Sequence, residues 1–427
     1  GEKNMNSRKN SFSEVYEVMK KYGKMMSSQE YPIGRTKMMI ETPKGVFATR
    51  DDADIGELRE EDIEKLGIEK LPIPKAEMKA VVYSQTPCCQ KALREARPFK
   101  ACLDDMAQVF GHTAYIADGR DGNASMGKSI GKALRGNAGC LILRGTDKKG
   151  KGIGYTLTMG RSLYEAIVAL TVLEKSAEIS FLAEKIGGGK PIAKREARLM
   201  RYVYKKKYSK AEERVKMAET GQKTKEMADA ASHIRKQKAA PCEQRLRELL
   251  VKYGRKLVET GLVQGTWGNL SVRLDERYML VTPSGLDYMR LGAEDMVKVD
   301  IRSLEYEGDI KPTSEKGLHA AIYKKRPDVG AVIHTHSKYC SVFAAAGKDM
   351  PVLKAYSSVF GDKVKTASYA LPGSKSLMNN TAEAVGNNYG AIMSNHGMVA
   401  CGRDLETAFE NCVNLEENGK RYLSDIV

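Results

Sequence analysis

The chain contains two histidines separated by one residue, His334 and His336, whose type and spacing could serve chemistry. The short apolar run Gly330–His334 has the length and β-branching of a strand. Alternate residues of a strand point to the same face, so the two imidazoles are expected a few ångströms apart. Such a pair suits a divalent transition metal such as zinc. The competing interpretation is two polar residues that face solvent at a strand end.

A third candidate ligand is His396 in the sequence Asn395-His396-Gly397, which also ends an apolar run. The glycine after it allows a sharp turn and a close approach by a ligand. Three histidines with one open coordination position are the usual plan of a catalytic zinc site. The three histidines therefore predict a metal centre.

Glu315 is the candidate acid or base. Thr313 or Ser314 is placed to cap the helix that follows, so Glu315 is expected in its first turn. The helix dipole there favours an ionised carboxylate, so the alternative is an ordinary helix-start carboxylate. His319 lies one turn further on and is interpreted as a packing histidine.

Three segments could bind a phosphate group. They contain small hydroxyl residues, glycines and exposed backbone N–H groups, which can form an anion-binding nest. None fits the P-loop or the dinucleotide fingerprint. The segments are Gly265–Ser271, Thr282–Gly285 and Thr313–Ser314.

The elements that position these residues follow an α/β pattern. A helical periodicity runs from Glu243 to Thr260, and short strand-like runs follow at Met279–Thr282 and Val297–Asp300. A closing helix is expected over Asp404–Leu423, with the Asp404 carboxylate capping its start. Ser162 can cap the corresponding helix of the first half.

The two halves of the chain repeat each other. Five ordered matches predict a tandem duplication, which is the signature of repeated structural units. The matches pair Glu41–Gly45 with Val281–Gly285, Ala80–Gln85 with Ala331–His336, Val109–Gly111 with Val359–Gly361, Leu141–Gly145 with Met393–Gly397, and Gly160–Ala166 with Gly402–Ala408.

Charge is concentrated between the two copies. The net charge is +16, and residues 190–240 hold 16 Lys and Arg against 6 Asp and Glu. The composition favours a solvated helical connector. Nucleic-acid binding is the disfavoured alternative, because no zinc finger, RNP-like motif or GXXG loop accompanies the charge.

Length and composition limit the remaining possibilities. A chain of 427 residues suits two domains. No run of about 18 apolar residues occurs, so no membrane span is expected. The start lacks a basic and apolar leader, and the eight cysteines form no CxxC pair. We therefore expect a cytoplasmic protein with reduced thiols.

Taken in order, the second-copy motifs resemble the class II aldolase/adducin family, especially its L-fuculose-1-phosphate aldolase-like enzymes. The matching motifs are Gly268–Ser271, Thr282–Gly285, Thr313–Glu315, His334–His336 and Asn395–Gly397. The resemblance spans about Cys242 to Leu423. It implies an α-β-α layered fold with a mostly antiparallel central sheet flanked by helices.

The resemblance also assigns roles. His334, His336 and His396 would bind one Zn²⁺ per chain, and Glu315 would be the acid/base. The substrate phosphate would be held by Asn269, Ser284, Gly285, Thr313 and Ser314. The function implied is reversible aldol cleavage of a ketose 1-phosphate to dihydroxyacetone phosphate and an aldehyde, with the metal as Lewis acid.

Other activities of the resembled family stay open. Its aldolases use a tyrosine from a neighbouring subunit, and Tyr356 lies in the matching region. Its 4-epimerases carry Asp at the position of Glu315 and another Asp near Ser357, and both differences disfavour an epimerase. A sugar-phosphate dehydratase remains an alternative, as does a non-catalytic, adducin-like assembly protein.

The first copy lacks the corresponding machinery. Its counterparts of the three histidines are read as Tyr83, Gln85 and Arg144, and the segment that would hold Glu315 is missing. We therefore predict a degenerate domain over residues 1–188, a basic helical connector over 189–240 and a catalytic domain over 241–427. The resemblance implies a homodimer that forms a pseudo-fourfold ring, or a homotetramer.

Overall fold

The computed structural model describes residues 2–29, 31–73, 77–120, 123–219, 240–263, 267–286 and 288–426. It divides into two compact units. The first contains Gly1–Ala101, Asp105–Glu178 and Ile192–Arg201, and the second contains Cys102–Asp104, Ile179–Pro191 and Tyr202–Val427. The predicted boundaries at residues 188 and 240 stay predictions, because each unit is assembled from separate segments. Residues 220–239 of the predicted connector lie outside the described residues.

The first unit is built on a seven-stranded sheet. Its strands are β1 (Thr36–Thr42), β2 (Gly45–Thr49), β3 (Ile63–Lys65), β4 (Ala80–Ser84), β7 (Ile116–Asp118), β8 (Gly139–Thr146) and β9 (Gly152–Gly160). Their order across the sheet is β3-β2-β1-β4-β9-β8-β7. A small separate sheet pairs β5 (Phe99–Lys100) with β6 (Thr113–Ala114). Neighbouring strands of the large sheet run antiparallel except β7 and β8.

Helices lie on both faces of this sheet. The helices of this part of the chain are α1 (Glu2–Ser27), α2 (Pro87–Arg94), α3 (Asp104–Val109), α4 (Asn123–Ala133), α5 (Leu163–Glu184) and α6 (Lys194–Glu219). Asp104 of α3, the end of α5 from Ile179 and the end of α6 from Tyr202 belong to the second unit. Met19 of α1 and Leu170 of α5 belong to one core cluster, with Met38 and Val82 from the sheet. Leu134 follows α4 and belongs to a second cluster, with neighbouring sheet residues that point to the other face.

The second unit repeats this arrangement in a second seven-stranded sheet. Its strands are β10 (Asn269–Arg273), β11 (Tyr278–Val281), β12 (Val297–Asp300), β13 (Ala331–Thr335), β16 (Thr366–Ala367), β17 (Gly390–Met393) and β18 (Gly397–Gly402). Their order is β12-β11-β10-β13-β18-β17-β16, and a small sheet pairs β14 (Met350–Pro351) with β15 (Lys363–Val364). Only the β16–β17 pair of the seven described strands is parallel. The predicted α-β-α fold with mostly antiparallel sheets is therefore confirmed.

Two helical layers cover the second sheet. The helices are α7 (Pro241–Glu259), α8 (Lys316–Lys325), α9 (Lys338–Ala346), α10 (Ser357–Phe360), α11 (Lys375–Val385) and α12 (Leu405–Asp425). One face packs on α7, α9 and α12 through Leu250, Phe343 and Leu415. The other face packs on α8 and α11 through Leu318 and Leu377. Because side chains alternate along a strand, Ile333 of β13 serves the first face and Val332 the second.

One of the five repeat matches is out of register. Glu41 and Thr42 end β1, whereas Val281 ends β11. By their positions in the two sheets, however, β1 corresponds to β10, and β2 corresponds to β11. The Thr-Pro-x-Gly motif therefore forms the turn between β1 and β2 in the first copy and the turn after β11 in the second. The motif recurs at non-equivalent turns because proline and glycine favour turns in general. The order of elements along the chain still supports the prediction that the first copy lacks the segment that would hold Glu315. In the second unit α8 lies between β12 and β13, whereas no helix lies between β3 and β4 in the described residues.

A second register correction concerns the counterpart of His396. Gly139 and Gly390 occupy equivalent places in the two sheets, so Ile142, rather than Leu141, corresponds to Met393. After this point β8 and β9 continue as a long hairpin through Leu143–Gly154, whereas β17 and β18 are joined by a tight turn. Arg144 is therefore part of an extended hairpin and is not an equivalent of His396. Two apolar runs can be aligned in more than one way, so the sequence alone does not fix the alignment of β8 with β17 to a single residue.

The helix starts agree with the sequence at two positions and differ at one. The Asp404 side chain accepts a hydrogen bond from the Thr407 N–H, and Ser162 Oγ accepts one from the Glu165 N–H. Glu315 was expected in the first turn of a helix, but α8 begins at Lys316 and Glu315 is its N-cap residue. Its side chain makes no capping hydrogen bond, because its carboxylate accepts from Asn269 instead.

The two remaining expectations concern reduced cysteines and the absence of a membrane span. All eight cysteines are free, and five of them are buried. Among the described helices, none combines the length and the apolar character that crossing a membrane requires.

Candidate metal centre and active site

Strand β13 and the β17–β18 turn bring three histidines together. His334 lies within β13, His336 follows the strand, and His396 lies in the turn. His334 Nε2 is 3.1 Å from His336 Nε2 and 3.1 Å from His396 Nε2. All three side chains are buried. The structure thus gathers the three predicted ligands, and the described residues of the first unit contain no comparable group.

The distances fit a shared divalent ion. Nitrogens bound about 2 Å from one tetrahedral ion lie roughly 3.3 Å apart. The rings are inclined by 62° to 71° to one another, so their Nε2 atoms converge without the rings stacking. Three buried imidazole nitrogens of this kind are a donor set that zinc accepts.

The ring of His334 is oriented by the neighbouring strand. Its Nδ1 donates a hydrogen bond to the Met398 carbonyl at 2.8 Å. Burial lowers the pKa of His334 to about 3, so the ring is neutral and its Nε2 lone pair faces the cluster. A backbone carbonyl on the far nitrogen is a common way to fix the tautomer of a metal-ligating histidine.

The turn that carries His396 depends on its two neighbours. Asn395 has a left-handed backbone with φ of 59°, so it makes the sharp turn that the sequence had assigned to Gly397. Gly397 is required for a different reason. A Cβ at this position would clash with the Thr335 carbonyl oxygen of the adjacent strand.

Glu315 faces the histidines from the start of α8. One carboxylate oxygen lies 3.3 Å from His334 Nε2, and the other lies 3.1 Å from His396 Nε2. Burial on its own would raise the pKa of Glu315. The two imidazoles and the Asn269 amide outweigh burial and hold the pKa well below its usual range. The carboxylate is therefore ionised and directed at the three histidines.

A chain of buried hydrogen bonds holds this carboxylate in place. Tyr323 OH and Ser271 Oγ are 2.7 Å apart, Ser271 Oγ is 2.7 Å from His319 Nδ1, and His319 Nε2 contacts the Asn269 carbonyl oxygen. The Asn269 Nδ2 then donates to Glu315 at 2.7 Å. With the donors in this order, each group donates to the next along the chain.

His319 is the central member of this chain. Burial lowers the pKa of His319 to about 4, which keeps the ring neutral and able to accept at one nitrogen and donate at the other. The interpretation as a packing histidine therefore omitted its hydrogen-bonding role. The spacing of His319 and Tyr323 by one helical turn was the available signal, because it places both on one face of α8.

The predicted phosphate segments adjoin one another. Pro283 and Pro312 form an antiparallel bridge, and the Thr313 N–H donates to the Thr282 carbonyl. Ser284 is half-buried, whereas Gly285 and Ser314 are exposed. Asn269 is buried, and its side-chain amide donates a hydrogen bond to the Glu315 carboxylate. In this structure Asn269 is therefore a hydrogen-bond partner of Glu315. Gly265 and Thr266 lie outside the described residues.

Tyr356 ends a short 3₁₀ turn before α10 and is half-buried. The Arg421 guanidinium lies over its ring, 5.8 Å from the centroid. Its ring also packs against the core beneath α7, α9 and α12. Tyr356 therefore contacts Arg421 and this core.

The first unit has different chemistry at the equivalent positions. Tyr83 and Gln85 occupy the places of His334 and His336, as expected from the repeat. Burial raises the pKa of Tyr83 to about 12, which keeps the phenol neutral. The Gln85 amide donates to the Gly154 carbonyl of the long hairpin. These groups support the hairpin and do not form a metal-ligand set.

Comparisons with known proteins agree with this geometry. A family model described as Class II Aldolase and Adducin N-terminal domain matches residues 248–423. The chain is 33% identical over 174 residues to 5-deoxy-D-ribulose 1-phosphate aldolase of Bacillus thuringiensis serovar kurstaki, a match that covers 40% of this chain and 82% of the relative. It is also 33% identical over 183 residues to 3-oxo-tetronate 4-phosphate decarboxylase of Haemophilus influenzae, covering 42% and 87%.

The chain is also similar to solved structures. The structure of an L-fuculose 1-phosphate aldolase is 36% identical, and the match covers 44% of this chain and 87% of that one, with a TM-score of 0.42. The family match begins within α7 and ends within α12. It therefore includes the three histidines and Glu315.

Proposed function

Since the chain belongs to the class II aldolase and adducin family, we propose that its second unit is a zinc-dependent sugar-phosphate lyase. The proposed reaction is reversible aldol cleavage of a ketose 1-phosphate to dihydroxyacetone phosphate and an aldehyde. The convergence of His334, His336 and His396 around the Glu315 carboxylate is the observation that carries this proposal. The B. thuringiensis relative, by its name, acts on 5-deoxy-D-ribulose 1-phosphate, which makes that sugar phosphate the first substrate to test.

The three histidines would hold the metal through their Nε2 atoms. A bound divalent ion supplies Lewis-acid polarisation of the ketose carbonyl and offsets the negative charge that develops when the C–C bond breaks. In the condensation direction, the ionised Glu315 carboxylate would remove the proton from the carbon that attacks the aldehyde. In the cleavage direction, the same group in its protonated form would return a proton to that carbon. Asn269 and the hydrogen-bonded chain behind it would keep this carboxylate aimed at that carbon.

The substrate phosphate would lie between the two adjoining loops. The hydroxyls of Ser284, Thr313 and Ser314, with the backbone of Gly285, would provide neutral donors for it. The second N–H of the Asn269 amide would be a further donor. Tyr356 of a neighbouring chain would exchange the proton of the aldehyde oxygen, as the family resemblance implies.

The test combines metal analysis with a substrate screen. Purified protein is expected to carry about one zinc, or one replacement divalent ion, per chain. A panel of ketose 1-phosphates, beginning with 5-deoxy-D-ribulose 1-phosphate, is then assayed for release of dihydroxyacetone phosphate. Removing the metal with a chelator should abolish the release, and adding zinc should restore it.

Each other outcome has a defined meaning. Two tightly bound ions per chain would contradict a metal-free first unit. Bound metal without dihydroxyacetone phosphate release from any ketose 1-phosphate would overturn the lyase assignment, and loss of water from the same substrates would identify a dehydratase. CO₂ release from 3-oxo-tetronate 4-phosphate would identify a decarboxylase. Absence of both metal and turnover would favour an adducin-like assembly role.

A further inference from the structure

A carboxylate from far away in the sequence faces two of the three histidines. Asp104 belongs to the segment Cys102–Asp104, which the structure includes in the second unit. One of its oxygens lies 3.3 Å from His396 Nδ1, and the other lies 3.9 Å from His336 Nδ1. The residue is only 1% exposed. Glu315 lies near the Nε2 side of the cluster, whereas Asp104 lies near the Nδ1 side of two of its rings.

The segment is held in place by the residue next to a histidine. The Asn395 Nδ2 donates to the Cys102 carbonyl at 2.9 Å and to the Lys190 carbonyl at 2.7 Å. In return, the Asp104 N–H donates to the Asn395 carbonyl at 2.9 Å. The left-handed backbone of Asn395 allows one residue to make these bonds while it turns the chain into His396. The position of Asp104 is thus tied directly to the turn that carries the ligand.

Burial makes this carboxylate costly unless it serves a charged or hydrogen-bonded group. Removing an ionised carboxylate from water costs several kcal/mol, which close partners must offset. Histidines bind a divalent cation as neutral ligands, so one such cation together with the Glu315 carboxylate would leave a charge of +1 in the buried cluster. A second carboxylate balances that charge. Its place beside the Nδ1 atoms also favours the tautomer in which Nε2 is free to bind an ion.

We propose that Asp104 is a positioning residue of the metal centre, which orients His396 and His336 and neutralises the charge of the bound ion. This inference rests on the proposed metal-dependent function. It assigns a role to a residue that lies in the chain before the connector, within the first of the two repeated segments. By the alignment of Phe110 with Phe360, the corresponding residue of the second copy is Lys354, which is exposed, so the repeat does not impose a carboxylate there.

The proposal explains why a metal-free copy is kept. The first copy has Tyr83 and Gln85 at the positions of His334 and His336, but the segment after β5 supplies a carboxylate to the metal centre of the second unit. A chain that lost this segment would retain all three histidines and Glu315. It would still lack the group that fixes two of the rings.

The test measures metal affinity in the full chain. Asp104→Asn keeps the size of the side chain and removes its charge, and Asp104→Ala removes both oxygens. Zinc dissociation constants are measured by competition with a chelator, and Co²⁺-substituted protein gives the absorption bands of the ligand set. We expect zinc affinity about 10- to 100-fold weaker in both variants, which is the usual scale for partners of metal-bound histidines, with altered Co²⁺ bands.

Asp105→Asn is the matched control. Asp105 is the next residue of α3, is 2% exposed, and pairs with Lys175 at 3.2 Å. Removing this carboxylate disturbs the same short helix without touching the histidines, so zinc affinity and the Co²⁺ bands should stay those of the wild type. Equal weakening in Asp104→Asn and Asp105→Asn would overturn the proposal, because the effect would then arise from the packing of α3.

The remaining outcomes separate the two claims. Unchanged zinc affinity and Co²⁺ bands in both Asp104 variants would overturn this inference and leave the lyase proposal standing. A wild-type protein that binds no divalent ion would instead remove the proposed function itself. If the variants do not fold, proton NMR of Co²⁺-loaded wild-type protein decides: a slowly exchanging Nδ1 proton on His396 supports the contact, and a rapidly exchanging one overturns it.

Discussion

The carboxylate of Glu315 is surrounded by groups of the protein and not by solvent. The Asn269 amide, two imidazoles and a helix N-terminus surround it, and a neutral buried histidine lies behind the amide. Such fixation matters for a proton-transfer group, because its catalytic effect depends on reach and orientation. The chemistry proposed for this residue therefore rests on its surroundings as much as on its type.

Glu315→Gln is expected to lower turnover by about 100-fold or more, the usual scale for loss of a positioned base. The amide keeps the shape of the side chain but cannot exchange a proton at carbon. Zinc content and the thermal unfolding midpoint should stay near their wild-type values, since the three histidines are unchanged. Steady-state kinetics on the best ketose 1-phosphate, with metal analysis of the same samples, provide the measurement.

Glu307→Gln serves as the control, because Glu307 is exposed and lies on the loop before the phosphate segment. It should retain wild-type turnover. Near wild-type turnover in Glu315→Gln would return Glu315 to the role of an ordinary helix-start carboxylate.

His319 should make the metal-free protein sensitive to acid. Its pKa is about 4 in the folded chain and about 6.5 when unfolded, so the unfolded state binds a proton first as the pH falls. The stabilisation is complete above pH 6.5 and is lost as the pH falls through 4. It amounts to about 3 kcal/mol of the free energy of unfolding. Urea unfolding of wild type and His319→Gln at pH 7 and pH 4.5 measures it.

The decline between these pH values should be smaller in His319→Gln, although that variant is less stable at pH 7. The control is His112→Gln, which removes a half-exposed histidine and should keep most of the wild-type decline. An equal decline in wild type and His319→Gln would show that His319 is not the group responsible.

At the scale of elements, the metal centre depends on the close approach of β13 and β18. These strands pair from Ala331 with Gly402 to Thr335 with Met398, and Gly397 continues the line beside His336. In the first unit the equivalent strands β4 and β9 pair in the same way. There, however, β8 and β9 form a long hairpin in place of the tight turn that joins β17 and β18. The sheet is therefore common to both units. The units differ in the residues at the positions of His334 and His336, and in the connection between the last two antiparallel strands.

Gly397→Ala is expected to weaken zinc binding at least 10-fold and to lower the free energy of unfolding by about 1–3 kcal/mol. The new methyl group would clash with the Thr335 carbonyl and would lie 3.3 Å from ring atoms of both His334 and His336. A backbone carbonyl in a sheet cannot move aside without separating the strands. Zinc competition and urea unfolding are the measurements.

Gly67→Ala is the matched control, because nothing lies within 4 Å of a Cβ added there. It should leave both quantities unchanged. Wild-type zinc affinity in Gly397→Ala would mean that the turn tolerates the displacement and that the close approach is not required.

At the scale of the whole molecule, the proposed mechanism calls for self-association. The resemblance implies active sites between subunits, and the Tyr356 ring contacts Arg421 and the core of its own unit. A second chain would be the source of a tyrosine that reaches the metal centre. Contacts between different surfaces of identical chains must close into a ring or they continue into filaments.

We therefore expect a homodimer, with a homotetramer as the second possibility. Size-exclusion chromatography with light scattering should give twice the 47.2 kDa of one chain. Tyr356→Phe should lower turnover without changing zinc content or assembly. A monomer that turns over normally would contradict a tyrosine shared between chains.

The sequence by itself predicted the family, the duplication and the residues that we propose do the chemistry. The His-x-His pair and Asn-His-Gly turn are local patterns, and the copies align because strands keep their hydrophobic periodicity. Local periodicity also set the α/β class and the helix start at Asp404. It misaligned two of the five matches, one of which set the counterpart of His396, since apolar runs and Thr-Pro-x-Gly turns recur out of register.

Tertiary structure alone decided how these groups are held. Ser271, His319 and Tyr323 act on Glu315 through hydrogen bonds that no single stretch of sequence contains. Asp104 is 292 positions from His396 in the chain, yet the two side chains lie 3.3 Å apart. The physical reason is that a buried polar group takes partners from whatever segment folding brings beside it, and sequence spacing carries no record of that choice.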